Sequence, residues 1–437
     1  MTYLPNILFA IALIVGIGYF AKNVKRLIRN IKLGQSIDAS DNKAERWRNV
    51  ALIAFGQSKM VKRPISGILH VIVYVGFIVI NLEVLEIIID GLFGTHRIAL
   101  NVLPTEVYGS LIGTFEILAC LVLISVIIFW IRRNVLKIAR FIKREMKGWP
   151  KTDGNLILYF EVVLMTLFLV MNASDIEFQS LNSGNVVSQF IAPWFSSLPE
   201  STLHLIERGT WWLHILGILV FLNYLYFSKH LHILLAFPNV FYGSLKPKGQ
   251  FNNLEAVTKE VKLMMDPDAD PFAAPAEDTS EEEPAKFGAS DVMDLNRVQL
   301  LNAYTCTECG RCTSACPANL TGKKLSPRKI MMDTRDRLEE VGKNIDANGG
   351  VFKDDGKQLL GDYITNEELW ACTTCNACVE ECPVSINPLS IILDMRRYLV
   401  MEQSAAPSDL NNMMSNIENN GAPWPYNQMD RLNWADE

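Results

Sequence analysis

Cys306-Thr307-Glu308-Cys309-Gly310-Arg311-Cys312-Thr313-Ser314-Ala315-Cys316-Pro317 and Cys372-Thr373-Thr374-Cys375-Asn376-Ala377-Cys378-Val379-Glu380-Glu381-Cys382-Pro383 are two copies of one pattern, C-x2-C-x2-C-x3-C-P. The two-residue gaps let three cysteines wrap a small volume within one tight loop. The fourth cysteine leaves that loop as a helix begins, and the proline after it keeps the chain from closing back on itself.

This run ligates two [4Fe–4S] clusters in bacterial ferredoxins, where the fourth cysteine of each run serves the other cluster. The expected ligand sets are therefore Cys306, Cys309, Cys312 and Cys382 for one cluster, and Cys372, Cys375, Cys378 and Cys316 for the other. The competing readings are weaker. A four-cysteine zinc site usually shows two separate CxxC pairs, and disulfides need an oxidising compartment.

The chain has 437 residues, enough for two or three domains, and a net charge of −6, which argues against a nucleic-acid partner. Hydrophobic residues make up 49% of it, and the excess lies in the first 245 residues. Eight of the nine cysteines sit in the two runs; Cys120 stands in an apolar segment and reads as a packing residue.

Five apolar segments, near residues 4–24, 65–89, 106–131, 156–174 and 210–235, reach the roughly 20 residues a bilayer span requires. The first lacks the basic leading region of a signal peptide. Residues 22–63 carry eleven Lys and Arg and residues 132–151 carry eight, while the other two loops carry one each, Arg97 and Arg208. Basic loops stay inside. The N-terminus is thus expected outside, and the cluster segment in the reducing cytoplasm of a bacterial inner-membrane protein.

His70 lies in the second span near its inner end, and His214, His230 and His232 lie in the fifth. Ionisable residues within a membrane are rare and usually functional. On one continuous helix, His214 and His232 share a face about 27 Å apart, with His230 on nearly the opposite face. Two imidazoles from facing helices at one depth suit a b-type haem, so His70 and His232 are the expected axial pair, with His230 the alternative ligand. His214 has no histidine opposite it; Asn81 stands there. The outer site is either a second haem, with His204 or His96 as an unexpected ligand, or a quinone pocket. Glu83, Glu86 and Glu116 are candidates for proton exchange.

This half resembles the cytochrome b (gamma) subunit of respiratory nitrate reductase. The likeness sits in the five spans, in Leu69-His70-Val71, and in the stretch from His214 through Phe227-Ser228-Lys229 to His232. The resemblance implies two haems held by two histidines on each of two helices. The sequence departs from it at Ile80-Asn81, where the second histidine of span two would stand.

Residues 246–290 read as an acidic, Pro-rich linker that includes Glu281-Glu282-Glu283-Pro284. Residues 291–402 read as helical: Ser326-Pro327 opens a helix to about Ile345, and Asn387-Pro388 opens another over Leu389–Met401. The 55 residues between the cysteine runs exceed what a compact β-containing ferredoxin needs. The expected fold class is all-α, a five-span bundle over residues 1–245 followed by an α-helical dicluster ferredoxin domain.

The cysteine runs resemble those of the iron–sulfur subunit of heterodisulfide reductase. More distantly, they resemble the iron–sulfur subunits of succinate dehydrogenase and anaerobic glycerol-3-phosphate dehydrogenase. Joined to the cytochrome-like half, the chain looks like the membrane iron–sulfur reductases related to heterodisulfide reductase. Some of those take electrons from electron-transfer flavoprotein and reduce menaquinone. Longer relatives carry cysteine-rich CCG domains, which the resemblance assigns here to a separate subunit. Residues 403–437 read as a tail that docks a partner or folds back, on the strength of Trp424, Tyr426 and Trp434.

The expected function is electron transfer between a cytoplasmic redox subunit and the membrane quinone pool, in either direction. A membrane-anchored iron–sulfur redox sensor without quinone activity is the alternative. No residue outside the bundle reads as a substrate nucleophile or acid–base pair.

Overall fold

The computed structural model describes residues 3–247, 249–267 and 286–436. Among them the secondary structure is helical, with only two isolated β-bridges.

Among the described residues, five helices are long and apolar enough to cross a membrane: α1 Leu4–Lys32, α2 Pro64–Phe93, α3 Thr105–Asn134, α4 Trp149–Ser174 and α5 Glu200–Leu225. Prolines in the first turn of α1, α2 and α4 cost no hydrogen bond, because those N–H groups have no partner within the helix. At the other end of α2, Gly94 takes φ +73° and its N–H closes on Asp90 O. The helices pack in a ring, α1 against α2 and α5, α3 between α2 and α4, and α4 against α5. Phe9, Ile112, Phe115, Phe168, Ile215 and Phe221 fill the inside. Ile7, Ile11, Ile14 and Val15 of α1 stay exposed, as a lipid-facing surface requires.

The fifth segment differs from the single span expected over 210–235. Helix α5 stops at Leu225, and Ser228 adopts an extended backbone with its side chain accepting from His230 N–H. A 3-10 turn, Lys229–Leu231, then leads into a separate helix, α6 His232–Phe241. His214 and His232 therefore do not share one helix face. The broken backbone also brings the His230 and His232 rings within 5.8 Å of each other, where opposite faces were expected.

Helix α1 has 29 residues, about 43 Å of rise against a hydrocarbon core of about 30 Å. Its last turns protrude and hold the second domain. Asn30 donates to Tyr304 Oη (2.9 Å), Arg29 donates to Gly342 O (3.0 Å), and Arg29 pairs with Asp346. Gly342 makes room there, since a Cβ would sit 2.6 Å from the Asn30 amide and displace it. Beyond α1, Gln35 N–H donates to Leu295 O (2.9 Å) and Arg297 N–H to Gln35 O (3.0 Å).

Helix α7 Glu255–Met265 lies in the segment expected as linker; Glu281 to Pro284 lie outside the described residues. The second domain contains α8 Arg297–Thr305, α9 Arg311–Ala315, α10 Pro327–Ala347, α11 Asn366–Trp370, α12 Ala377–Glu381 and α13 Pro388–Arg397. Ser326 and Asn387 cap α10 and α13 through side-chain oxygens, as their Ser-Pro and Asn-Pro sequences predict. The core of this domain, with Leu295, Leu300, Ile330, Leu338, Ile391 and Met395, also takes in Leu27 of α1 and Leu231 of the broken segment. In the tail, α14 Ser408–Asn420 buries no residue, and Trp424 and Trp434 are exposed.

Candidate metal centres

The two cysteine runs fold alike. Each needs left-handed backbone at the same two places: Glu308 and Gly310 in the first (φ +54° and +73°), Thr374 and Asn376 in the second (φ +56° and +59°). These residues curl the loop around its three cysteines. Helices α9 and α12 follow, pack against each other, and end at Cys316 and Cys382 in extended backbone.

That pairing crosses the fourth cysteines over. Cys306, Cys309, Cys312 and Cys382 line one cavity, which Cys378 also lines. Cys316, Cys372, Cys375 and Cys378 line another of about 330 Å³. None of the cysteines forms a disulfide. Thr374 N–H points at Cys372 Sγ (3.4 Å) and Ile386 N–H at Cys382 Sγ (3.3 Å), the kind of contact that tunes cluster sulfur. Burial pushes the Cys306 and Cys378 thiols up to about 12. Thiolates in such a place need metal cations, which deprotonate a coordinating thiol outright. The donor sets fit two iron–sulfur clusters.

The surroundings differ. The first loop faces the bundle. Arg311 donates to Lys59 O (3.2 Å) and Met60 O (3.0 Å) in the loop before α2. The fully buried Arg328 donates to Arg140 O and to Glu145, both at 2.7 Å. Lys229 is buried and pairs with Glu308, which Arg335 also reaches at 2.9 Å. Burial would raise the Glu308 carboxyl, but the two cations beside it hold it below its ordinary value. The second loop leaves Thr373 and Cys375 exposed.

His70, in the second turn of α2, and His232, first in α6, face each other with ring centroids 6.4 Å apart. Bonds of about 2 Å from imidazole nitrogen to one metal put two ring centres roughly 6 Å apart, so the spacing of the pair is that of two imidazoles on a single metal ion. His232 Nδ1 lies 3.3 Å from Lys229 O, which leaves Nε2 for a metal. His70 Nδ1 is buried without a hydrogen-bond partner among the described residues. His230 Nδ1 lies beside Ser228 Oγ (3.3 Å).

His214 is buried deeper in the bundle, its Nδ1 3.1 Å from Leu164 O. It lines a separate pocket with Asn81; His96 and His204 are not in that lining. His96 instead contacts Asp175 (3.2 Å) and Arg208 (3.3 Å), and His204 is exposed. Glu116 accepts from Asn172, Val187 N–H and Ser188 N–H; Glu86 accepts from Ala99 N–H and Tyr108. Those bonds give both carboxyls a structural task. Glu83 is buried with one oxygen unpartnered among the described residues. Sequence reasoning passed over Glu161 in α4, although a lone acid in an apolar span is itself a signal. It also missed the Lys229–Glu308–Arg335 group, whose members are far apart in sequence.

Residues 305–386 match the 4Fe-4S dicluster domain family. The chain is 32% identical over 99% of its length to a probable iron-sulfur-binding oxidoreductase, FadF, of Bacillus subtilis, covering 61% of that protein. It is 26% identical over 92% of its length to an EtfAB:quinone oxidoreductase of Syntrophomonas wolfei, covering 55% of it. Over 27% of the chain it is 33% identical to one of the subunits of a ferredoxin/F(420)H(2)-dependent CoB-CoM heterodisulfide reductase of Methanosarcina acetivorans, covering 60% of that polypeptide. The chain thus spans somewhat over half the length of these relatives. No solved structure matches it. It is a membrane protein with a 4Fe–4S dicluster domain, related to the iron–sulfur reductases of the heterodisulfide reductase group.

Proposed function

We propose that the chain is a membrane-bound electron-transfer subunit of a quinone-linked respiratory oxidoreductase. Residues 1–245 are its cytochrome b-like domain in the bacterial inner membrane, with the N-terminus outside. Residues 246–290 link it to a cytoplasmic dicluster domain, 291–402, and residues 403–437 dock a partner. Cys306, Cys309, Cys312 and Cys382 hold one [4Fe–4S] cluster; Cys372, Cys375, Cys378 and Cys316 hold the other; His70 and His232 hold haem b. Bound there, these groups supply one-electron carriers.

The observation that carries the reading is the order of the sites. The second cysteine loop keeps Thr373 and Cys375 at the surface, the first loop bonds to the chain before α2, and the imidazole pair lies next to that first loop through Lys229. Lys229 joins the last two: its carbonyl meets His232 and its ammonium meets Glu308 of the first cysteine loop. Arg311 ties the same loop to the chain just before α2. These bonds fix the sites relative to one another. The basic loop before α2 docks on the second domain through Lys62–Glu380 (2.8 Å) and Arg63–Glu381 (2.8 Å), which supports the inward orientation.

One relative is named an EtfAB:quinone oxidoreductase, so the cytoplasmic partner is proposed as a flavoprotein of that kind or a CCG-domain iron–sulfur subunit, and the membrane partner as menaquinone. The test is a reduced-minus-oxidised optical spectrum of the purified chain before and after a quinol. Expected are haem b bands that the quinol itself brings up, and about eight cluster irons per chain. His70→Ala should lose the bands and keep the cluster iron. Bands retained in that variant would overturn the haem assignment, and a colourless zinc protein would overturn the whole reading.

A further inference from the structure

Among α2, α3, α4 and α5 lies a pocket, open at its mouth, that runs from Val73 to Val84 along α2 and from His214 to Phe221 along α5. Its floor, Val73, is three residues past His70, about 4.5 Å along α2. The wall is apolar, with Phe77 and Met165, apart from three polar side chains: Asn81, Glu161 and His214.

Each polar group has capacity left. His214 is 2% exposed, and its Nδ1 lies 3.1 Å from Leu164 O. A carbonyl only accepts, so Nδ1 carries the hydrogen and Nε2 keeps its lone pair. Asn81 donates its amide to Phe77 O, which leaves its carbonyl oxygen. Glu161, midway along α4, makes no hydrogen bond or ion pair with any described residue. An unpartnered carboxyl inside a span is costly unless it has a task. Phe77 and Asn81 reach the lipid-facing side of α2, which gives a hydrocarbon tail an exit.

Resting on the quinone-linked reading above, we propose that this pocket seats the headgroup of a lipid quinone, with His214 and Glu161 as its two proton-exchanging residues. In quinol oxidation both O–H bonds break. One proton goes to His214 Nε2 and the other to the Glu161 carboxylate. The two electrons leave one at a time for the one-electron carriers of the chain, and both ring oxygens become carbonyls. Quinone reduction is the same step reversed. Asn81 positions the ring rather than exchanging protons. The competing occupant is a second haem, for which Met165 would have to join His214, since the lining has no other histidine and no cysteine.

The experiment uses the full chain in lipid nanodiscs and a photoreactive azido-naphthoquinone, mapped by mass spectrometry, with haem per chain measured alongside. Label is expected within residues 73–84, 161–165 and 214–221. It should fall at least tenfold in His214→Leu, with haem content unchanged. Glu161→Gln, nearly isosteric, should keep most of the label but slow quinol-driven reduction of the chain at least tenfold. Label elsewhere, or undiminished in His214→Leu, overturns the proposal, as does one haem per chain lost in that variant. Label in the pocket of a chain that carries no haem would sink the electron path proposed above and leave this site standing.

Discussion

The two cysteine loops have one ligand pattern, one backbone shape and opposite surroundings. The first is packed under the bundle, with Arg311, Arg328, Lys229 and Arg335 around it. The second keeps Cys375 and Thr373 at the surface. Identical donors in unlike settings carry unlike potentials, because charge, hydrogen bonds and exposure set the potential of a cluster. The pattern specifies what is bound; on the proposed reading, the neighbours decide the order in which electrons visit.

The largest effect that could break this comparison concerns the crossed fourth cysteines. Cys306→Ala and Cys382→Ala should abolish the same electron paramagnetic resonance signal, and Cys372→Ala and Cys316→Ala the other. If Cys382→Ala removed the signal lost in Cys372→Ala, each run would serve its own cluster. Next comes Lys229→Met, which leaves Glu308 buried with Arg335 alone. Breaking a buried pair of this kind costs about 3 kcal/mol. A lower unfolding temperature with faster loss of iron to a chelator is expected, confined to the first loop. Smaller again is Arg311→Gln. Removing a cation beside one cluster should lower its midpoint potential by a few tens of millivolts in a redox titration and leave the other unmoved. Equal shifts in both would remove the contrast between the loops.

The smallest effect lies at the far end of the bundle, as a control that touches neither loop. The hydrogen bond to Asp175 raises the His96 imidazole above 6.5. Because the folded value is the higher one, the stabilisation is complete below the unfolded value near 6.5 and is lost as pH rises through the folded value. His96→Gln should flatten that limb of unfolding temperature against pH, with both cluster signals unchanged.

The cysteine sites were legible because their spacing is local: a few residues set each loop, and the repeat of the pattern betrays its partner. The spans were legible from hydropathy, and the caps at Ser326 and Asn387 from two-residue signals. The histidine pair was found by a helical periodicity that does not hold to the end of the segment. Ser228 breaks the helix with one side-chain hydrogen bond to His230 N–H, an event periodicity averages over. Lys229, Glu308 and Arg335 were opaque for the opposite reason: each is an ordinary charged residue until the fold brings them together. Glu161 was visible, but nothing in the sequence placed it beside His214. The tail aromatics did not fold back onto the domain; Trp434 is 74% exposed.

Gln35 exchanges two backbone hydrogen bonds with Leu295 and Arg297, so the membrane and cluster halves are sewn together main chain to main chain. Such a seam leaves no room for a swinging carrier arm that shuttles charge between docking stations. On the proposed reading, throughput would be set by fixed gaps, as in a soldered circuit, and by how fast the outside partners come and go.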